Sequence, residues 1–139
     1  MAYWLIKTEP GTWSWDDQTS AKGKRTAWDG VRNHSAKLHL QSMKKGDRCF
    51  FYHSVNEKQV VGIVEVVKEA YPDPGDAKGQ FVMVDVKAVG PMPTPVTLAA
   101  IKAEPKLKEM VLVNNSRLSV QPVTAGEWKL VCGMGGYRA

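Results

Sequence analysis

Four of the five tryptophans fall within the first 28 residues of the chain. An indole ring can stack on the face of any nucleobase, and one such stack contributes roughly 1–3 kcal/mol. Tryptophans also fill protein cores, and Trp4, which stands in a predicted strand, is expected to do that. The remaining group is a candidate base-stacking wall. Its best members are Trp28 and one of Trp13 or Trp15.

The segment Trp28–Asn33 combines an indole, a turn, a cation and an amide in six residues. Arg32 has a planar guanidinium that suits a phosphate contact. Asn33 stands where a helix is predicted to begin, so its side chain either caps that helix or meets a base edge, for which it offers both a donor and an acceptor. Asp29 is a residue type that can close such a turn.

A positive charge accompanies these residues. The 139 residues include 19 Lys and Arg against 14 Asp and Glu, which gives a net charge of +5 and a pI near 9.3. A basic domain of this size favours polyanionic partners, above all nucleic acid. The cations that cluster near the tryptophans are Lys22, Lys24, Arg25, Arg32 and Lys37.

A second polar group ends the predicted strand 48–53. Strand alternation places Phe51 and His53 on one face and Phe50 and Tyr52 on the other. Tyr52, His53 and Ser54 therefore stand where a pocket mouth is plausible, although a single histidine in such a place is more often structural.

Catalytic and metal-binding patterns are missing from the sequence. His34 and His39 are five residues apart, a spacing that does not put two ligands on one helix face, and no Cys or carboxylate completes a zinc pattern. Ser54 beside His53 is not a triad signature. Acidic residues such as Glu9 fit turns and loop caps. We therefore expect a protein that is not an enzyme and that holds no metal and no cofactor.

The predicted secondary structure is mixed. Strands are expected at residues 3–7, 48–53, 60–68, 81–89 and 118–120, with a bulge or close backbone approach at Gly62. Helices are expected at 33–43, 97–102, 106–111 and 125–132, with a helical turn near 15–18 inside an ordered loop 11–30. Three prolines, Pro91, Pro93 and Pro95, are expected to break the sheet. These elements predict one α+β domain spanning 1–139, a mixed β-barrel with short helices at its ends.

The surroundings of the protein follow from what its sequence lacks. No apolar run reaches the ~20 residues of a membrane span, and no signal peptide precedes Lys7. Cys49 and Cys132 have apolar neighbours and are expected to be reduced and buried. We expect a cytoplasmic protein, associated with the nucleoid if it is bacterial, without a membrane partner and most simply a monomer.

Several blocks, taken together in this order, resemble the EVE domain family of the PUA-like superfamily. The blocks are Tyr3–Pro10, Trp28–Asn33, Met43–Ser54, Gly62–Val66, Tyr71–Asp73 and Arg117–Val123. The resemblance covers nearly the whole chain. It implies a PUA-like curved β-barrel with short helices covering its openings, and a cavity that takes a flipped modified base, such as a modified cytosine, from DNA or RNA.

The resemblance also implies site residues. With Trp13 added from the stacking argument, the expected base pocket consists of Lys7, Thr8, Glu9, Trp13, Trp28, Asn33, Tyr52, His53, Ser54, Ser119 and Gln121. The expected phosphate contacts are Lys24, Arg25, Arg32, Lys37 and Arg117. The sequence departs from the family pattern twice. The loop after Asp73 is short and Phe81 replaces an expected Pro-x-Trp, and His34 stands where an aromatic residue is frequent.

Two other functions stay open at this stage. An enzyme acting on a modified base or nucleotide would use the same pocket, in which Glu9 and His53 are chemically competent groups. A small-molecule or protein-interaction module would have an incidental basic surface, and its binding would ignore salt.

Overall fold

The computed structural model describes residues 1–138 and shows six strands and five α-helices in this range. The strands are β1 (Tyr3–Thr8), β2 (Arg25–Trp28), β3 (Arg48–His53), β4 (Gln59–Pro72), β5 (Val82–Thr97) and β6 (Val120–Val123). The helices are α1 (Trp15–Ser20), α2 (His34–Ser42), α3 (Leu98–Ala103), α4 (Val111–Asn114) and α5 (Ala125–Met134). Short 3-10 turns occupy Lys22–Lys24 and Pro105–Leu107.

The strands form one sheet in the order β2-β5-β4-β3-β1-β6. β1 pairs with β3 in parallel, and every other pair is antiparallel. The predicted α+β class is confirmed. The predicted barrel is not confirmed as a closed one, since the described strand pairs leave β2 and β6 as the two outer strands.

Successive side chains of a strand point to opposite sides of the sheet, and here both sides contribute to a buried core. Ile6 and Phe51 belong to a core that α2 covers, whereas Leu5 and Phe50 belong to a core that α3, α4 and α5 cover. Phe51 and His53 share the first face, with ring centroids 5.9 Å apart, as the alternation predicts. No helix in residues 1–138 is long and apolar enough to cross a membrane.

The three prolines do not break the sheet, and that prediction was wrong. β5 continues through Pro91, Pro93 and Pro95 to Thr97. β2 pairs only with Val84–Lys87, so the later part of β5 has β4 as its strand neighbour on one side only. Proline is tolerated on such an edge, where no ladder hydrogen bond is lost.

Other boundaries also differ from the predictions. Residues 25–28, predicted as loop, form β2. The last strand is Val120–Val123 rather than 118–120, and the predicted helix 106–111 is replaced by the turn Pro105–Leu107 followed by α4. The final helix begins as predicted, with Thr124 and Glu127 forming a capping box.

Gly62 marks a bulge, as predicted, and a close approach by a side chain rather than by backbone. The pairing register of β4 with β5 shifts between Val60 and Gly62. A methyl group placed on Gly62 would stand 2.5 Å from the Trp15 ring. Only a residue without a side chain lets Trp15 lie flat against β4 and meet Phe51 edge-on, with ring centroids 5.2 Å apart.

We expect Gly62→Ala to lower the free energy of unfolding by about 1–3 kcal/mol, because the added methyl overpacks the core against Trp15. Chemical denaturation measures this change. Gly126→Ala is the matched control: Gly126 has open space around it in the first turn of α5, so alanine there leaves stability unchanged or raises it. Equal stabilities of wild type and Gly62→Ala would contradict the packing described.

Candidate functional site

A cavity of about 670 Å³ opens beside the amino-terminal end of α2. Its wall comes from four parts of the chain: the end of β1 (Lys7 and Thr8), the following loop (Thr12 and Trp13), residues 26–33, and Ser119. The size lies within the usual range for small-molecule and cofactor sites, about 300–1,000 Å³.

Trp28 provides the most firmly held part of the wall. It ends β2, where its register partner is Val84 on β5, and only 8% of its surface is exposed. Its ring meets Phe51 edge-on at a centroid distance of 5.5 Å. Because strand pairing and the core both restrain this indole, it can present a rigid aromatic surface to the cavity.

Trp13 forms another part of the wall and is anchored from two sides. Its indole Nε1 donates to Gln18 Oε1 at 2.9 Å, and the buried Gln18 donates in turn to the carbonyl of Lys24. The Thr8 hydroxyl donates to the Trp13 carbonyl at 2.8 Å. The loop between β1 and α1 is thereby tied to both elements.

Lys7 lines the cavity near the end of β1, and its ammonium is bound within the fold. Its Nζ donates to the carbonyl of Ser116 at 2.6 Å and lies 5.7 Å from the centre of the Tyr52 ring. Burial lowers the pKa of the Lys7 ammonium. The buried Gln121 side chain donates to the carbonyls of Asn115 and Leu118, so it shapes the loop that receives Lys7.

Asn33 lines the cavity and caps a helix at the same time. Its Oδ1 accepts the backbone N–H of Ala36 at 2.9 Å, which starts α2. The acceptor side of the amide is thus used within the fold, and the Nδ2 hydrogens are what Asn33 can offer a ligand. Asp29, exposed on the same wall, supplies carboxylate acceptors.

Asp73 ties the loop after β4 to the rim of the cavity. Its Oδ2 accepts from the Gly30 N–H and from Arg32 Nη1, both at 3.0 Å, and its Oδ1 accepts from the Gly75 N–H at 2.8 Å. The Gly30 N–H, followed by the guanidinium of Arg32, holds the pKa of the Asp73 carboxyl below its usual value despite burial.

The two departures from the EVE pattern contact each other. The His34 ring lies over Phe81, with centroids 4.9 Å apart. Arg32 and Lys37 also lie over the Phe81 ring, at 5.5 and 5.9 Å from its centre. The replacements therefore form one cluster of basic side chains on a buried aromatic ring, next to the cavity rim.

Some expected pocket residues do not line this cavity: Glu9, Tyr52, His53, Ser54 and Gln121. Tyr52 packs in the core on the other face of the sheet. His53 accepts the Trp15 N–H on Nε2 at 3.0 Å and donates from Nδ1 to Glu57 at 2.9 Å, which lowers the pKa of the Glu57 carboxyl. The Ser54 hydroxyl donates to the Thr8 carbonyl at 3.2 Å. Of this group, Ser54 thereby contacts the backbone of a lining residue, Thr8.

Sequence reasoning missed several lining residues, namely Thr12, Thr26, Ala27, Asp29, Gly30 and Val31. The strand β2, which was not predicted, brings residues 26–28 to the cavity.

Two of the expected phosphate-binding arginines form ion pairs with aspartates of the same chain. Arg25 pairs with Asp85 at 2.7 Å, and Asp85 also accepts the Tyr71 hydroxyl. Lys24, Lys37 and Arg117 form no ion pair within residues 1–138.

A second hollow, of about 790 Å³, lies beside α5. Its lining includes Lys106, Lys129, Leu130 and Met134 but no aromatic ring from the described residues. It offers nothing on which a base could stack, so the cavity beside α2 is the better candidate site.

Comparison with known proteins agrees with this architecture. The EVE domain family model matches residues 2–134. A protein from Rhodopseudomonas palustris is 63% identical, with a TM-score of 0.92 over 98% of this chain and 94% of its own. Thymocyte nuclear protein 1 from Homo sapiens is 34% identical, with 96% of this chain and 73% of that protein covered. A Zygosaccharomyces rouxii YTH domain, 19% identical with a TM-score of 0.60 over 99% of this chain and 86% of its own, shares the fold.

The chain belongs to the EVE domain family. One solved structure with the same fold is the human THYN1 protein in complex with 5-methylcytosine containing DNA. It is 33% identical to this chain, with a TM-score of 0.91 and all of both chains covered.

Proposed function

We propose that this protein is a reader that binds a nucleic-acid strand and takes a modified base, a modified cytosine or a similar one, into the cavity between Trp13 and Trp28. The observation that carries the proposal is that two separately anchored indoles line one cavity of about 670 Å³ together with polar groups. The human relative bound to 5-methylcytosine containing DNA supports the ligand class.

The cavity has the chemistry that a flipped base needs. Leaving the stack costs a base a few kcal/mol, least in a single strand, and stacking on an indole offsets that cost. The Asn33 amide hydrogens can donate to such a base, and the Asp29 carboxylate can accept from it. A base edge carries both kinds of group, and an unmatched partner would leave a buried polar group unsatisfied.

Lysine and arginine side chains that would bind the nucleic-acid backbone complete the proposed site. Lys24, Lys37 and Arg117 stand outside ion pairs in the described part of the chain and would meet phosphates flanking the base. Arg25 and Arg32, each paired with an aspartate on one side, would contribute less than free cations. We propose binding without turnover, with the chain acting as one unit.

A binding array tests the proposal. Labelled single- and double-stranded DNA and RNA, each with one cytosine either plain or modified, are titrated with the protein and followed by fluorescence anisotropy. We expect one modified strand to bind about tenfold more tightly than its plain partner, the scale on which one methyl discriminates. Mass analysis of the recovered strands should show no change. Equal affinity for every matched pair would refute base reading.

A further inference from the structure

Asp73 is a buried carboxylate that lies outside the cavity lining yet contacts it. The residue is 3% exposed and comes from the loop that follows β4, more than 40 residues from the rim in sequence. Burying a carboxylate is costly unless hydrogen-bond donors or cations surround it. A buried carboxylate in a short surface loop is therefore expected to have a structural or a functional role.

Two of the three donors to Asp73 belong to the cavity wall. They are the Gly30 N–H and Arg32 Nη1, and only the third, the Gly75 N–H, lies in the same loop as Asp73. Gly30 has φ +75°, a left-handed conformation that most residues avoid, so a bond to its N–H stabilises an uncommon turn at the rim.

Arg32 is oriented by the same carboxylate. Its Nη1 donates to Asp73 and to the Val31 carbonyl, both at 3.0 Å, while its side chain is 41% exposed. A guanidinium is a rigid planar fork, so fixing one nitrogen sets the direction of the others. The remaining N–H groups of Arg32, a residue that lines the cavity, are then held in one orientation.

We propose that Asp73 is a positioning residue for base discrimination: it holds the Gly30 turn and the Arg32 fork in the cavity lining without touching the strand itself. The proposal rests on the proposed function. It assigns a role to the shortened loop, which becomes the support of the rim.

The sign of the effect separates this role from two simpler ones. Asp73→Asn raises the net charge from +5 to +6, so charge-driven binding to any strand should strengthen. A carboxylate that merely repels phosphate would, when removed, strengthen modified and plain strands alike. A carboxylate needed only for folding would weaken both. A positioning residue predicts a higher affinity for the plain strand and a smaller preference for the modified one.

Asp47→Asn is the matched control. Asp47 is 4% exposed and also accepts three bonds, from the Ala2 N–H, the Trp4 indole and the Lys44 N–H, but it does not contact the cavity lining. Both variants change the charge equally. Thermal melts of both show the temperature at which each is fully folded, and binding is compared there.

We expect the preference for the modified strand to fall from about tenfold to about twofold in Asp73→Asn and to stay near tenfold in Asp47→Asn. Arg32→Lys keeps the charge without the fork and should lose the preference as well, which tests the same arrangement without altering the buried carboxylate. A preference retained in a folded Asp73→Asn would overturn the inference and leave the proposed function intact. Equal wild-type affinity for both strands would overturn the proposed function and this inference with it.

Discussion

Trp28→Ala lowers the affinity for a modified strand by about 10–100-fold, whereas the affinity for a plain strand of the same length changes far less. The reason is that Trp28 lines the cavity, and the loss of its ring removes the surface on which we propose that the base stacks. Plain-strand binding depends mainly on cations that this substitution leaves in place. Anisotropy titrations with the matched strands measure both affinities.

The alanine variant also removes the ring of a residue that is only 8% exposed and that packs against Phe51, so a more conservative pair of variants accompanies it. Trp28→Phe and Trp15→Phe each shorten an indole that meets Phe51 edge-on, at 5.5 and 5.2 Å. Of these two tryptophans, Trp28 lines the cavity and Trp15 does not. We expect the preference for the modified strand to decline in Trp28→Phe and to persist in Trp15→Phe. Equal declines in both would show that Trp28 acts through the core rather than through the base.

Raising the salt concentration from 50 to 200 mM lowers the affinity for duplex DNA by about 10–100-fold. The logarithm of the binding constant falls with the logarithm of salt by about 0.9 for each phosphate neutralised, and two to four contacts give this range. Lys24, Lys37 and Arg117 are the cations expected to make them, because none of them forms an ion pair in the part of the chain that the structure describes. The salt dependence of the binding constant measures the slope.

Variants that remove one positive charge identify which lysines make these contacts. Lys24→Gln should reduce the slope by about one and weaken modified and plain strands alike. Lys106→Gln is the control, since Lys106 lies beside α5 at the second hollow and not at the cavity. A slope unchanged by Lys24→Gln, or reduced equally by Lys106→Gln, would contradict a phosphate contact at Lys24.

The elements that local patterns could predict are the ones with strong alternation. β1 and β3 have side chains that divide cleanly between two cores, and both strands were predicted within one residue. β2 has only four residues, of which Trp28 alone is buried, so no alternation marks it. It is a strand because β5 pairs with it, and a partner some 60 residues away leaves no trace in the local sequence.

The candidate site, too, could be predicted only in part. The resemblance brought Lys7, Trp28 and Asn33 into the expected pocket, and the structure places all three on the cavity wall. It does not separate lining residues from those that support them. His53 accepts the Trp15 N–H, 38 residues away, and Asp73 accepts the Gly30 N–H, 43 residues away. Such contacts depend on the folded chain and not on spacing.

The most direct test of the central claim is an NMR titration of the five tryptophan indole N–H signals with a single-stranded oligonucleotide that carries one modified cytosine. Trp13 and Trp28 line the cavity, whereas Trp4 donates to Asp47 and Trp128 is buried on the other face of the sheet. We expect the Trp13 and Trp28 signals to shift and those of Trp4 and Trp128 to stay. Saturated binding that leaves Trp13 and Trp28 unmoved would place the base elsewhere and contradict the account.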